Sequence, residues 1–99
     1  MPDNKQQFAV LGAGSWGTAL AMLLADNGHQ VYLWSHSASH AEVMNSEGCN
    51  SRYLPGLPFP QGLRVTDDLA LALGQASIVV VVVPSHAFRT TLTRIKPLL

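Results

Sequence analysis

Gly12-Ala13-Gly14-Ser15-Trp16-Gly17 is the segment whose residue types and spacing bear most directly on chemistry. It has the form G-x-G-x-x-G, follows a short apolar run and precedes a stretch of helical periodicity. That is the setting in which the pattern binds a dinucleotide. The three glycines then serve different ends. Gly12 allows a tight turn out of the strand, Gly14 leaves room for a pyrophosphate against the backbone, and Gly17 lets the helix approach the strand. The unpaired N–H groups and the dipole at the helix start would face the phosphates. Trp16 is expected to pack on the core while its backbone N–H faces phosphate. The competing reading is a tight strand-to-helix turn that holds no ligand.

Dinucleotide sites often place Asp or Glu at the end of the second strand, against the ribose 2′-hydroxyl of NAD. The corresponding residues are Leu33-Trp34-Ser35-His36-Ser37, with no acid among them. A carboxylate there would repel the 2′-phosphate of NADP by about 4 kcal/mol at about 4 Å in an effective dielectric near 20. Without it NADP is tolerated, and His36 is the candidate to contact the 2′-substituent. The alternative is an exposed turn histidine.

Other residue types carry less. His36 and His40, with Cys49, fall short of a metal site in the absence of a convincing third ligand. Ser85 has no base beside it in the sequence and reads as a helix cap rather than a nucleophile. His86 follows the fourth strand and lies either near the cofactor or at a helix start. His29 reads as a turn residue, and Asp67-Asp68 as a helix start, where negative charge suits the dipole.

The elements that must position these residues alternate along the chain. Gln7 to Leu11 reads as a buried strand. A helix opens at Ser15, with Trp16, Ala19, Leu20, Leu23 and Leu24 on one face and a neighbouring face of small residues, Gly17, Ala21 and Ala25, that would let it approach a sheet closely. Asn27-Gly28 ends it. Gln30 to Trp34 is a second strand, and Ser39 to Glu47 a second helix. Three prolines and two glycines between Cys49 and Gly62 exclude regular structure there. Leu63 to Thr66 is a third strand, with Thr66 or Asp67 capping a short helix through Leu73. Ser77 to Val83 is a fourth strand, apolar on both faces as buried parallel strands are. Ser85 caps a last helix with Phe88, Leu92, Ile95 and Leu99 on one side, which Pro97 ends early. Such alternation predicts an α/β fold: a Rossmann-type parallel sheet with flanking helices.

Composition bounds the function. With 99 residues the chain is one domain, and 47% apolar against 12% charged residues predicts a buried core. The formal net charge is zero without a basic run, which argues against a nucleic-acid partner. The single cysteine, Cys49, allows no internal disulfide. The polar Met1 to Gln7 lacks the apolar core of a signal peptide, and Ile78 to Val83 is too short to span a bilayer. A cytoplasmic protein without stable membrane insertion is expected.

Four segments together resemble the bacterial NAD(P)-dependent glycerol-3-phosphate dehydrogenase family. They are Gly12 through Ala21, Asn27-Gly28-His29 with Val31-Tyr32-Leu33-Trp34, Cys49-Asn50-Ser51-Arg52-Tyr53-Leu54-Pro55, and Val82-Val83-Pro84-Ser85-His86. The resemblance runs from Phe8 to Leu99. It implies hydride transfer between NAD(P)H and dihydroxyacetone phosphate, giving sn-glycerol 3-phosphate for glycerophospholipid synthesis. It also implies that Ser15 and Trp16 lie on the pyrophosphate side, His36 on the adenosine ribose and Tyr53 near the cofactor. Where family members carry Arg or another polar residue after His36, this chain has Ser37. The resemblance further implies later strands, a lysine serving the carbonyl chemistry and a helical C-terminal substrate domain. None of these falls within Met1 to Leu99, and Lys96 beside Pro97 does not match that lysine. The expectation is therefore an incomplete N-terminal NAD(P)-binding domain over residues 1–99 with no catalytic residue of its own. A homodimer is carried as an open expectation for the whole protein. Two alternatives stand beside this: another two-domain dehydrogenase, of hydroxyacyl or phosphogluconate type, which the Cys49 to Pro60 loop argues against, and a non-catalytic dinucleotide-sensing module.

Overall fold

A computed structural model describes residues 6–98. The elements follow the predicted alternation: β1 (Gln7–Leu11), α1 (Ser15–Asp26), β2 (Gln30–Trp34), α2 (Ala38–Glu47), β3 (Leu63–Thr66), α3 (Leu69–Gly74), β4 (Ile78–Val81) and α4 (Ser85–Ile95), with a 3-10 turn at Lys96–Leu98. The strands form one sheet in the order β3-β2-β1-β4, and every pairing is parallel. β1 is central, with Val10 opposite Leu33 on one side and Val80 on the other. Its C-terminal end, where the glycine loop begins, therefore sits between the ends of β2 and β4.

Alternating side chains divide the core into two layers. Val10, Val31, Leu33 and Val65 pack against Ala21, Ala25, Ala41 and Met44 of α1 and α2. On the other face Ala9, Leu11 and Trp34 meet Leu69, Ala72 and Leu73 of α3 and Ile95 of α4. Cys49 to Gly62 contains only an isolated bridge between Cys49 and Pro58, as its prolines and glycines lead one to expect.

The small face of α1 approaches the sheet as expected, whereas the placement of Trp16 and the buried stripe of α4 depart from expectation. In α1 the buried residues are Gly17, Thr18, Ala21 and Ala25, whereas Trp16 is 81% and Leu23 58% exposed. Trp16 is thus not a core residue. The cause is the close approach of α1 to the sheet, which only small side chains permit. The larger stripe turns outward, and Trp16, Ala19, Leu20 and Leu23 form an apolar patch with Val82. In α4 the buried pair is Thr91 and Ile95, while Phe88 and Leu92 are exposed. The buried stripe shares Ile95 with the expected one but runs back through Thr91 instead of Leu92 and Phe88. Leu99 lies outside the described residues.

Three helix starts also differ. Ser37 caps α2, its hydroxyl accepting from the His40 N–H, so the helix opens at Ala38. Asp68, rather than Thr66 or Asp67, caps α3 by accepting from Leu71 N–H at 3.1 Å. The Thr66 hydroxyl instead accepts from the Asp68 N–H, and the Asp67 carbonyl accepts from Trp34 Nε1. Pro84 occupies the cap position of α4 without a side-chain hydrogen bond, and Ser85 is the first helical residue rather than the cap. β4 is shorter than expected and only partly buried, because among the described residues no strand pairs with its outer side. Ser77 and Val82 N–H groups still donate to Gln7 and Leu11 carbonyls, which prolongs the β1 pairing beyond both ends of β4.

Candidate dinucleotide-binding site

β1 ends at Leu11, and the chain turns at Gly12 with φ 125°, a conformation that L side chains rarely adopt. A Cβ on Gly12 would collide with the Val82 carbonyl. A Cβ on Gly17 would collide with the carbonyl oxygen of Gly12. These two glycines are therefore required by the packing of α1 and of the segment just after β4 on the loop. Gly14 differs: a Cβ there would meet nothing within 4 Å. Its backbone is extended, with φ −81° and ψ −165°, which any residue adopts. The protein's own packing leaves the position beside Gly14 open. That open space lies at the start of α1, which has neither a capping side chain nor an acidic residue in its first turn. The helix start is thus left with unpaired N–H donors and the positive end of its dipole. The arrangement fits an anionic pyrophosphate.

The loop is held from the side by a residue that sequence reasoning quoted only as part of a resemblance. Asn50 is 0% exposed. Its Nδ2 donates to the Ala13 carbonyl at 3.0 Å and to the Thr18 hydroxyl at 2.8 Å. A carbonyl can only accept, so the amide nitrogen must face the glycine loop. The oxygen is left for His40 Nε2 at 3.1 Å, and that nitrogen carries the proton. One amide therefore ties the glycine loop, α1 and α2 to the Cys49 to Gly62 segment. The same segment brings in Tyr53, whose carbonyl accepts from Ser15 Oγ at 3.4 Å and whose ring packs edge-on against His40. Tyr53 thus stands beside Ser15. A lone Asn in an irregular loop has no periodic signature, and the Tyr53 contact spans 38 positions of sequence, so neither was legible from the residues alone.

His36 is exposed at the end of β2, its ring 6.5 Å from that of Trp34. It lines a cleft with His86 and Arg94 of α4, so His86 is both an early α4 residue and a neighbour of the candidate cofactor residue. Arg94 was not singled out from sequence, because its helix position carried no motif. His40 points to Asn50 rather than to His36, and among the described residues no three His, Cys, Asp or Glu side chains gather. No helix among those residues is long and apolar enough to cross a membrane.

A parallel sheet in the order β3-β2-β1-β4, with a G-x-G-x-x-G loop from its central strand into α1, defines a Rossmann-type domain of the dinucleotide-binding kind. Residues 7–99 match the family described as NAD-dependent glycerol-3-phosphate dehydrogenase N-terminus, and the chain belongs to that family. A glycerol-3-phosphate dehydrogenase (NAD(P)+) from Shewanella oneidensis is 50% identical over 97 residues, which are 98% of this chain and 29% of that protein. The crystal structure of glycerol-3-phosphate dehydrogenase from Coxiella burnetii superposes with a TM-score of 0.93 at 49% identity, covering 96% of this chain and 29% of that one. The Plasmodium falciparum glycerol-3-phosphate dehydrogenase gives a TM-score of 0.81 at 25% identity, covering 96% of this chain and 29% of that one. The chain thus spans about 30% of the length of the curated relatives it matches.

Proposed function

We propose that this chain is the N-terminal NAD(P)(H)-binding part of a glycerol-3-phosphate dehydrogenase, which interconverts dihydroxyacetone phosphate and sn-glycerol 3-phosphate. The observation that carries the reading is the contrast among the three glycines. Packing within the protein accounts for Gly12 and Gly17, whereas Gly14 lacks a side chain where the protein itself has space for one. A ligand approaching the backbone at the start of α1 supplies the missing reason. The family match and the relatives' names support NAD(P)H as that ligand.

In this reading Gly14, Ser15, Trp16 and Gly17 bind the pyrophosphate through backbone N–H groups, with Gly12 shaping the turn. His36 meets the adenosine ribose, and Tyr53 flanks the loop at Ser15. The bound nicotinamide supplies the hydride; the protein supplies orientation and shielding. The groups that hold the phosphorylated ketone belong to another part of the protein, in accord with the share of the relatives that this chain spans. The cytoplasm is the proposed compartment, and the lone Cys49 fits its reducing conditions.

The test is Gly14→Val in the full-length protein, with NADH binding measured by calorimetry. The apoprotein should lose at most about 1 kcal/mol, since valine is a poorer helix cap than glycine. Binding should weaken by more than about 4 kcal/mol, on the order of a thousandfold, through loss of three hydrogen bonds to charged phosphate at about 1.5 kcal/mol each. Normal NADH binding by a folded variant would remove the loop from the cofactor site.

A further inference from the structure

The cleft beside His36 has a composition that the glycine loop does not explain. It lies at the C-terminal ends of β2 and β4, which flank the loop, so the adenosine half of a dinucleotide held at Gly14 extends toward it. One wall is Trp34 and His36. The other is a stripe of α4, His86, Thr90 and Arg94, spaced four apart and so on one helix face. No carboxylate lines the cleft. A guanidinium and two imidazoles thus face a space of about 250 Å³ with no acid among them.

Arg94 is held in a defined pose. Its guanidinium carbon lies 5.2 Å from the centre of the Trp34 ring. That ring is 2% exposed and anchored by its Nε1–H, which donates to the Asp67 carbonyl at 3.0 Å. A guanidinium stacked on an aromatic face keeps its N–H edges available for bidentate contact with phosphate.

We propose that Arg94 is a specificity-determining residue for the 2′-phosphate of NADP(H), acting with His36 across the cleft. The proposal rests on the dinucleotide reading of the glycine loop. It assigns the 2′-phosphate a cation from α4, an element far in sequence from the end of β2, where such a residue is ordinarily sought. Stacking on Trp34 alone, or a favourable charge at the end of α4, would stabilise the helix without distinguishing NADPH from NADH.

The experiment measures NADH and NADPH dissociation constants for the full-length protein, as wild type, Arg94→Gln and Arg94→Lys. Glutamine should weaken NADPH by about tenfold or more while changing NADH by less than about twofold, as expected for loss of a hydrogen bond to a charged group. Lysine should recover part of the NADPH affinity, since it restores the charge without the planar fork. On the wild type, 2′-AMP should displace NADPH at lower concentration than 5′-AMP, an arm that does not depend on any variant folding. Equal weakening of both cofactors, an unchanged ratio, or no preference for 2′-AMP would overturn the assignment of Arg94 while leaving the dinucleotide site standing. A wild type that bound neither cofactor would overturn the dinucleotide reading itself.

Discussion

Replacing Asn50 by alanine should loosen the glycine loop from the side opposite the ligand. The side chain is fully buried and makes three hydrogen bonds, to the Ala13 carbonyl, the Thr18 hydroxyl and His40 Nε2. At a net of about 1 kcal/mol each, their loss amounts to about 3 kcal/mol, and a buried acceptor left unsatisfied at Ala13 adds about 1 kcal/mol or more. Urea unfolding of the full-length protein, followed through the buried Trp34, should show a loss of about 3–5 kcal/mol. Because Ala13 lies between Gly12 and Gly14, NADH affinity should fall as well, although Asn50 is buried beneath the loop. A double-mutant cycle with Thr18→Val separates this network from general packing. The coupling between the two sites should lie within about 0.5–3 kcal/mol, the range for residues that share a hydrogen bond. Additive effects within about 0.3 kcal/mol, or an Asn50→Ala protein that is destabilised yet binds NADH as wild type, would refute the claim that Asn50 positions the loop.

Gly17→Ala should behave in the opposite sense to Gly14→Val: its Cβ meets the Gly12 carbonyl, so thermal unfolding should show a severe loss of stability even without cofactor. His36→Ala should weaken NADPH more than NADH in fluorescence titrations, and equal losses would return His36 to an exposed turn residue. The 99-residue chain expressed by itself should self-associate through β4, whose outer edge pairs with no strand among the described residues and carries Ile78 to Val81 without a charge. Val80→Lys should reduce that association in light scattering at high concentration, and a wild-type chain that stays monomeric would count against it.

The alternation of strands and helices, the dinucleotide loop and the parallel sheet were determined by the sequence alone. Their signals are local: an apolar run ending at Gly12, glycines at fixed spacing, and prolines from Pro55 to Pro60 that deny regular structure. The order β3-β2-β1-β4 is the usual one for a Rossmann-type sheet, in which the chain after β3 returns past β2 and β1 to place β4 on the far side of β1. Tertiary structure decided what periodicity leaves degenerate. A helix with large apolar residues on one stripe and small ones on the next can turn either to the sheet. In α1 the small stripe approaches the sheet, as its residue types led one to expect, but the steric demand at Gly17 also sends Trp16 outward, off the core. In α4 the seat against Leu11 and Trp34 selects Thr91 and Ile95 over Phe88 and Leu92. The side-chain partners of the site were decided in the same way. Asn50 reaches Ala13 across 37 positions, and Arg94 reaches Trp34 from the far end of α4. Contacts of that range depend on how elements dock, and only the folded chain brings their residue types together.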